Sequence, residues 1–159
     1  MLNYLVVFCA VGSGLIGGVF FAFSTSVMTA LGRLPAVHGI AAMQMINRVI
    51  LNPLFLGTFL GTAIACGAAA GSCLFATDVS GRGWILGGAA AYVIGSFAVT
   101  MLFNVPRNNR LMAVDPESPE AMAIWREYLA KWTAWNHVRG VAAVIASGLF
   151  VVGALQRGN

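Results

Sequence analysis

Three stretches of this chain, Met1 to Gly32, Val49 to Thr77 and Gly83 to Pro106, contain no Lys, Arg, Asp or Glu. A helix needs about 20 predominantly apolar residues to cross the hydrocarbon of a bilayer, and each stretch exceeds that. A fourth charge-free run, Gly140 to Leu155, is shorter, but the helical stretch before it lengthens it. Four spans are expected, at about 2–31, 50–76, 83–104 and 137–156.

With 59% hydrophobic and 9% charged residues, the 159-residue chain lacks the polar surface of a soluble globule. Met1-Leu2-Asn3-Tyr4 carries no basic residue, and the apolar run behind it is about twice a signal-peptide core, so the first span is expected to remain. Continuous apolar runs fit helices, whereas barrel strands alternate. The fold class is therefore all-α: a single-domain (1–159) integral membrane four-helix bundle. An amphipathic helical segment is expected between spans 1 and 2, and a long helix leading into span 4.

Gly14/Gly18, Gly57/Gly61, Gly67/Gly71 and Gly83/Gly87 repeat at four residues, a spacing that lets membrane helices approach closely and is also available for a homo-oligomer. Arg33, Arg48, Arg107, Arg110, Arg126, Lys131 and Arg139 fall in or beside the first and third connections, against Arg82 and Arg157 elsewhere. The positive-inside rule then places both termini outside and these connections in the cytoplasm, with the plasma membrane as the expected location. The net charge of +4 is a topology and headgroup signal; no nucleic acid is expected as a partner.

Gly12-Ser13-Gly14-Leu15-Ile16-Gly17 spells a dinucleotide fingerprint, but it lies within a span rather than in a βαβ unit, so packing is its expected role. Cys9, Cys66 and Cys73 form no metal pattern and are expected as buried small apolar residues.

Polar residues at membrane depth are costly and mark candidate sites. Gln44, Asn47 and Arg48 share one side of a helix that Asn52-Pro53 breaks before the second span; a polar face of a partly inserted helix and simple snorkelling of Arg48 both remain open. Asn104, Pro106, Arg107, Asn108, Asn109 and Arg110 end the third span, with Pro106 expected to stop the helix. The asparagines there read either as caps or as part of a donor-rich pocket. Ser118 is expected as the N-cap of the next helix. Along that helix Trp125, Tyr128, Trp132, Asn136 and Arg139 lie within about 80° of one another, with Trp135 beside them. His137 points elsewhere, about 100° from Asn136.

The Asn104-to-Leu111 segment, with Trp125, Tyr128 and Trp132-Thr133-Ala134-Trp135-Asn136-His137-Val138-Arg139, resembles the anthrone-oxygenase-like family of small four-helix membrane proteins. Gly17 to Leu31 and Asn47 to Pro53 are similar to it as well. The resemblance implies dioxygen-dependent oxidation of an anthrone or another planar hydrophobic aromatic. Trp125, Tyr128, Trp132 and Trp135 would then wall a cleft for the substrate, and Asn47, Arg48, Asn104, Arg107, Asn108 and Asn109 would line its mouth. Asn136 and Arg139 would stabilise an enolate oxygen, with His137 as general base or, failing that, water. No cofactor is expected beyond dioxygen as co-substrate. A metal or haem is the rival, with only His38 and His137 as imidazoles and Asp115, Glu117, Glu120 and Glu127 in one region away from Asp78. The expected partners are a hydrophobic small molecule and the lipid bilayer. The alternative outside the enzyme class is a non-catalytic protein that binds or carries a hydrophobic molecule, or a structural membrane subunit.

Overall fold

The computed structural model describes residues 1–76 and 78–158, so Thr77, the end of the second charge-free stretch, lies outside the described residues. Each apolar run is a helix: α1 (Leu2–Gly32), α3 (Pro53–Phe75), α4 (Arg82–Met112) and α5 (Ala121–Gly158) are all long and apolar enough to span a membrane. The short α2 (Ala36–Val49) joins α1 to α3. No strand occurs among the described residues. The spans form a ring in which α1 packs on α3 and α5, and α4 packs on the same two from the other side. At one end, Arg157 Nε donates to Asn3 Oδ1 at 2.7 Å, bringing the start of α1 to the end of α5. At the other end lie α2 and the α4–α5 connection.

Two helix boundaries have visible causes. Asn52 Oδ1 accepts from Phe55 N–H at 3.0 Å and its Nδ2 donates to the Val49 carbonyl at 2.9 Å. One side chain thus ends α2 and starts α3, with Pro53 in the first turn where its missing N–H is harmless. At the far end of α4, Gln44 Nε2 donates to the Leu111 and Val114 carbonyls at 2.9 and 2.8 Å. The polar face of α2 therefore turns inward at Gln44 and Asn47, while Arg48 is exposed.

Three expectations are corrected. Pro106 does not end the third span. π-helical turns over Thr100–Asn104 shift the register, so Pro106 falls in the first turn of a renewed α-helical segment, where a proline is tolerated. The Arg107 guanidinium also donates to the Phe103 carbonyl, at 2.6 Å. Asparagine caps are accordingly not needed at residue 104. Ser118 is not a side-chain cap either: its hydroxyl is buried without a partner. The chain first closes a turn from Ser118 N–H to the Asp115 carbonyl at 3.0 Å, and α5 begins at Ala121.

The third correction concerns the glycines. A methyl group at Gly18, Gly57, Gly61, Gly67, Gly71 or Gly83 would meet nothing within 4 Å, because these positions lie away from the helix interfaces. Of the paired glycines, Gly14 and Gly87 do meet α5, at 3.2 Å from Ser147 Oγ and 3.6 Å from Leu149 Cδ1. Tighter approaches fall outside the pairs, on Gly12 against the Thr62 side chain, on Gly95, whose added Cβ would lie 2.6 Å from Ala142 Cβ, and on Gly17, 2.9 Å from Val144 Cγ2. The Gly12-to-Gly17 motif packs as expected, with Gly12, Ser13 and Gly17 buried. Cys9, Cys66 and Cys73 are free and buried.

Two apolar clusters result. One surrounds Ile16, Phe59, Cys66, Ile85, Tyr92 and Phe150; the other surrounds Met28, Ile40, Met43, Leu111, Trp125 and Trp132.

The glycine contacts make a paired prediction. Gly95→Ala forces two packed backbones apart and is expected to destabilise by about 1–3 kcal/mol. Gly57→Ala, with open space around it, should be neutral or gain the roughly 0.5–1 kcal/mol of helix propensity. Thermal unfolding in detergent compares them; equal effects would mean that the α4–α5 approach at Gly95 is not tight.

Candidate functional site

A guanidinium sits between the two apolar clusters. Arg139, only 6% exposed, projects from the middle of α5. Its Nε and Nη2 both donate to Asn136 Oδ1, at 2.9 and 2.7 Å, and its Nη1 donates to Thr100 Oγ1 at 3.2 Å. The Thr100 hydroxyl proton is committed to the Ser96 carbonyl at 2.8 Å, which leaves its oxygen free to accept. Asn136 is oriented from behind, as its Nδ2 donates to the Phe20 carbonyl and to Ser24 Oγ, both at 2.7 Å. Those acceptors require the amide nitrogen on their side, so the amide oxygen must face Arg139. Phe20 lies just before π-helical turns at Phe23–Val27, an irregularity that membrane helices use where a side chain enters the backbone ladder.

The guanidinium carbon stands 3.9 Å from the centroid of the Phe20 ring and 5.0 Å from that of Trp132, the geometry of cation–π attraction. Among the described residues no carboxylate pairs with it; the ion pairs there are those of Glu127 with Arg110 at 2.7 Å and with Lys131 at 3.0 Å, at the exposed end of the bundle. A charge at membrane depth costs several kcal/mol or more, and neutral hydrogen bonds offset only part of that.

Arg139 lines a cavity of about 120 Å³. The other polar walls are Asn47, Thr100 and Asn108; the apolar ones include Phe20, Phe23, Met43, Phe55, Phe59 and Trp132. The Asn47 amide lies beside the Tyr128 phenol, yet its nitrogen has no partner in hydrogen-bonding geometry, and the same holds for the buried Trp132 Nε1. Tyr128 itself donates to Asn108 Oδ1 at 2.8 Å.

The structure therefore gathers Asn47, Asn108, Trp132 and Arg139 at one cavity, with Asn136 and Tyr128 one hydrogen bond behind. The remaining candidates lie elsewhere. Trp125, Tyr128 and Trp132 stack in sequence, with centroids 5.7 and 5.6 Å apart, so the aromatic stripe is filled by its own rings and only Trp132 reaches the cavity. Trp135 stacks on Phe103 at 3.7 Å. Asn104 donates to the Trp132 carbonyl at 3.1 Å and ties α4 to α5. Arg107 borders a smaller pocket with Arg110, Ile124, Glu127 and Tyr128. Arg48 and Asn109 are exposed. His137 is exposed too and faces a separate groove between α1 and α5, which Asn136 lines with it, together with Phe20, Phe21, Ser24 and Thr25, whereas Arg139 does not.

The residues missing from the sequence-based set are Phe20, Ser24 and Thr100, all within charge-free spans. Hydroxyls inside charge-free runs were the available signal: Thr100 follows Tyr92 and Ser96 at four-residue spacing, and Ser24 opens Ser24-Thr25-Ser26. Phe20 has none, since the neighbouring Phe21 is 66% exposed. Among the described residues, no three His, Cys, Asp or Glu side chains form a metal-binding group.

A family model described as anthrone oxygenase matches residues 52–149, more than half of the chain. The matched part covers α3, α4 and the segment of α5 that carries Trp132, Asn136 and Arg139. No curated protein and no solved structure matches the chain.

Asn136→Ala removes four hydrogen bonds, two of them to a cation, and is expected to lower stability by about 3 kcal/mol or more. Adding Arg139→Met removes the stranded charge and should restore much of that loss. Thermal unfolding reads both. A double variant no more stable than Asn136→Ala would mean that the buried charge is not the source of the cost.

Proposed function

Because the chain belongs to the anthrone oxygenase family, we propose that it is a membrane-embedded oxygenase acting on a planar, oxygen-bearing aromatic of the anthrone type, with dioxygen as co-substrate and no metal or haem. The observation that carries this reading is Arg139, a buried cation without a carboxylate partner, facing an aromatic-walled cavity. Such an arm favours a ligand that develops negative charge on oxygen.

An anthrone has that property. Loss of a proton from its methylene gives an enolate with charge on the ring carbonyl oxygen, where the Arg139 guanidinium would hold it in a low-dielectric, preorganised setting. The carbanion carbon bonds to dioxygen, the resulting peroxide anion takes back the proton, and the hydroperoxide loses its distal oxygen with the remaining C–H hydrogen as water, breaking the O–O bond and leaving the quinone carbonyl. One anthrone and one dioxygen become one anthraquinone and one water. Asn136 and Thr100 act by fixing the guanidinium; Trp132 and Phe20 support the flat ring system.

The proton acceptor is assigned to water. No imidazole or carboxylate is among the cavity's lining residues, and the separate groove that His137 faces argues against it as the base. The exposed Arg33, Arg48, Arg110, Arg126 and Lys131 at the α2 end, against Arg82 and Arg157 at the other, support an orientation with both termini outside.

Oxygen uptake with anthrone on purified protein, against protein-free autoxidation, tests the reading. Arg139→Ala is expected to cut the enhancement by about 10²–10³, the scale for removing an oxyanion-stabilising donor, while His137→Ala should leave it nearly unchanged. Background uptake by well-folded wild-type protein would sink the oxygenase reading and favour a binding role.

A further inference from the structure

Two helices that wall the cavity separate beside it. α3 packs along the Arg82–Ala90 and Ala91–Ala98 parts of α4 but has no comparable packing with Thr100–Asn104. Beyond that point α2, rather than α3, covers Val105–Met112. Between these contacts the cavity reaches the outside. Its exposed lining residues there are Leu51 at 64%, Leu60 at 40% and Met101 at 39%, so the rim is apolar.

The depth of this opening follows from helix length. α3 has 23 residues, about 34 Å at 1.5 Å per residue, little more than the roughly 30 Å of hydrocarbon it must cross. Leu60 lies two turns in from Pro53, roughly 10 Å along the axis, so the opening runs from the headgroup edge at Leu51 into the acyl chains at Leu60 and Met101. The interior is of opposite character. Besides Arg139, the polar side chains of Asn47, Thr100 and Asn108 line it.

We propose that the cavity is loaded sideways from the bilayer, through the window between α3 and Thr100–Asn104, by an uncharged, lipid-dissolved planar aromatic whose carbonyl or phenol oxygens lead in toward Arg139. This rests on the reading of the cavity as the substrate site and adds the route and the charge state in which the substrate arrives. A permanently anionic tricycle of similar shape is excluded by the acyl chains at the window, although Arg139 would attract it.

The test uses the full chain in lipid vesicles and two tricycles followed by visible or near-ultraviolet absorbance: 1,8-dihydroxyanthraquinone, which already carries the oxidised ring, and anthraquinone-2-sulfonate. The first is expected to bind and the second not to bind on the same timescale. Met101→Trp and Leu60→Trp, made separately, should each slow association and dissociation together by about tenfold or more, with Kd changed far less, as a blocked passage requires. Both side chains are partly exposed on the outer surface, and a thermal melt checks each fold; either folded variant decides alone. Wild-type rates in a folded variant, equally fast binding of the sulfonate, or no binding of the dihydroxy compound to wild type would overturn the proposal. Binding through the window without oxygen uptake on anthrone would sink the oxygenase reading alone. Arg139-dependent uptake with rates indifferent to both tryptophans would sink the window alone.

Discussion

The bundle is organised around one uncompensated positive charge. A guanidinium in hydrocarbon is tolerated only when its donors and its aromatic contacts are arranged for it. Here that arrangement recruits three of the four spans: Phe20 and Ser24 from α1, Thr100 from α4, and Asn136 with Arg139 from α5. The remaining span, α3, supplies Phe55 and Phe59 to the cavity that the guanidinium faces. The apolar clusters on either side need no such coordination. They are packed by close approach at Gly17, Gly95 and Gly153, and the polar layer between them is where helix register has to be correct.

The π-helical turns that flank this layer, Phe23–Val27 in α1 and Ala91–Ala98 followed by Thr100–Asn104 in α4, follow from the same demand. An ideal α-helix presents the same side every 3.6 residues and pairs every interior carbonyl. At Phe23–Val27 and again at Thr100–Asn104 the helices widen, next to the Phe20 carbonyl that holds Asn136 and the Thr100 hydroxyl that receives Arg139. The second widening also carries α4 through Pro106. One local change of winding thus serves both the clamp and the continuity of the helix.

Much of the architecture was legible from charge-free length alone, because hydrocarbon leaves few backbone options. The α2 segment, its break at Asn52-Pro53 and the long α5 were likewise readable from periodicity and punctuation. Within the candidate site, Asn136 and Arg139 stood out for being polar at depth, and Asn47 for its place on a polar face. The rest was hidden for physical reasons. A stripe of aromatics at helical spacing looks the same whether its rings face a ligand or stack on one another, as Trp125, Tyr128 and Trp132 do. Glycines four apart look the same whether they meet a neighbour or lipid. The widening at Thr100–Asn104 leaves no compositional mark, so Pro106 read as a stop.

The walls of the cavity come from separate parts of the chain. The guanidinium and everything that fixes it belong to α1, α4 and α5, whereas Ile46, Ile50, Leu51 and Phe55, which give the cavity its contour, belong to α2, the first turn of α3 and the bend between them. None of those side chains is a donor or acceptor in the hydrogen-bond chain that runs from Phe20 to Thr100. The shape admitted and the charge offered are therefore independently variable: substitutions along the α2–α3 bend can retune which ring systems fit while the cationic arm stays as it is.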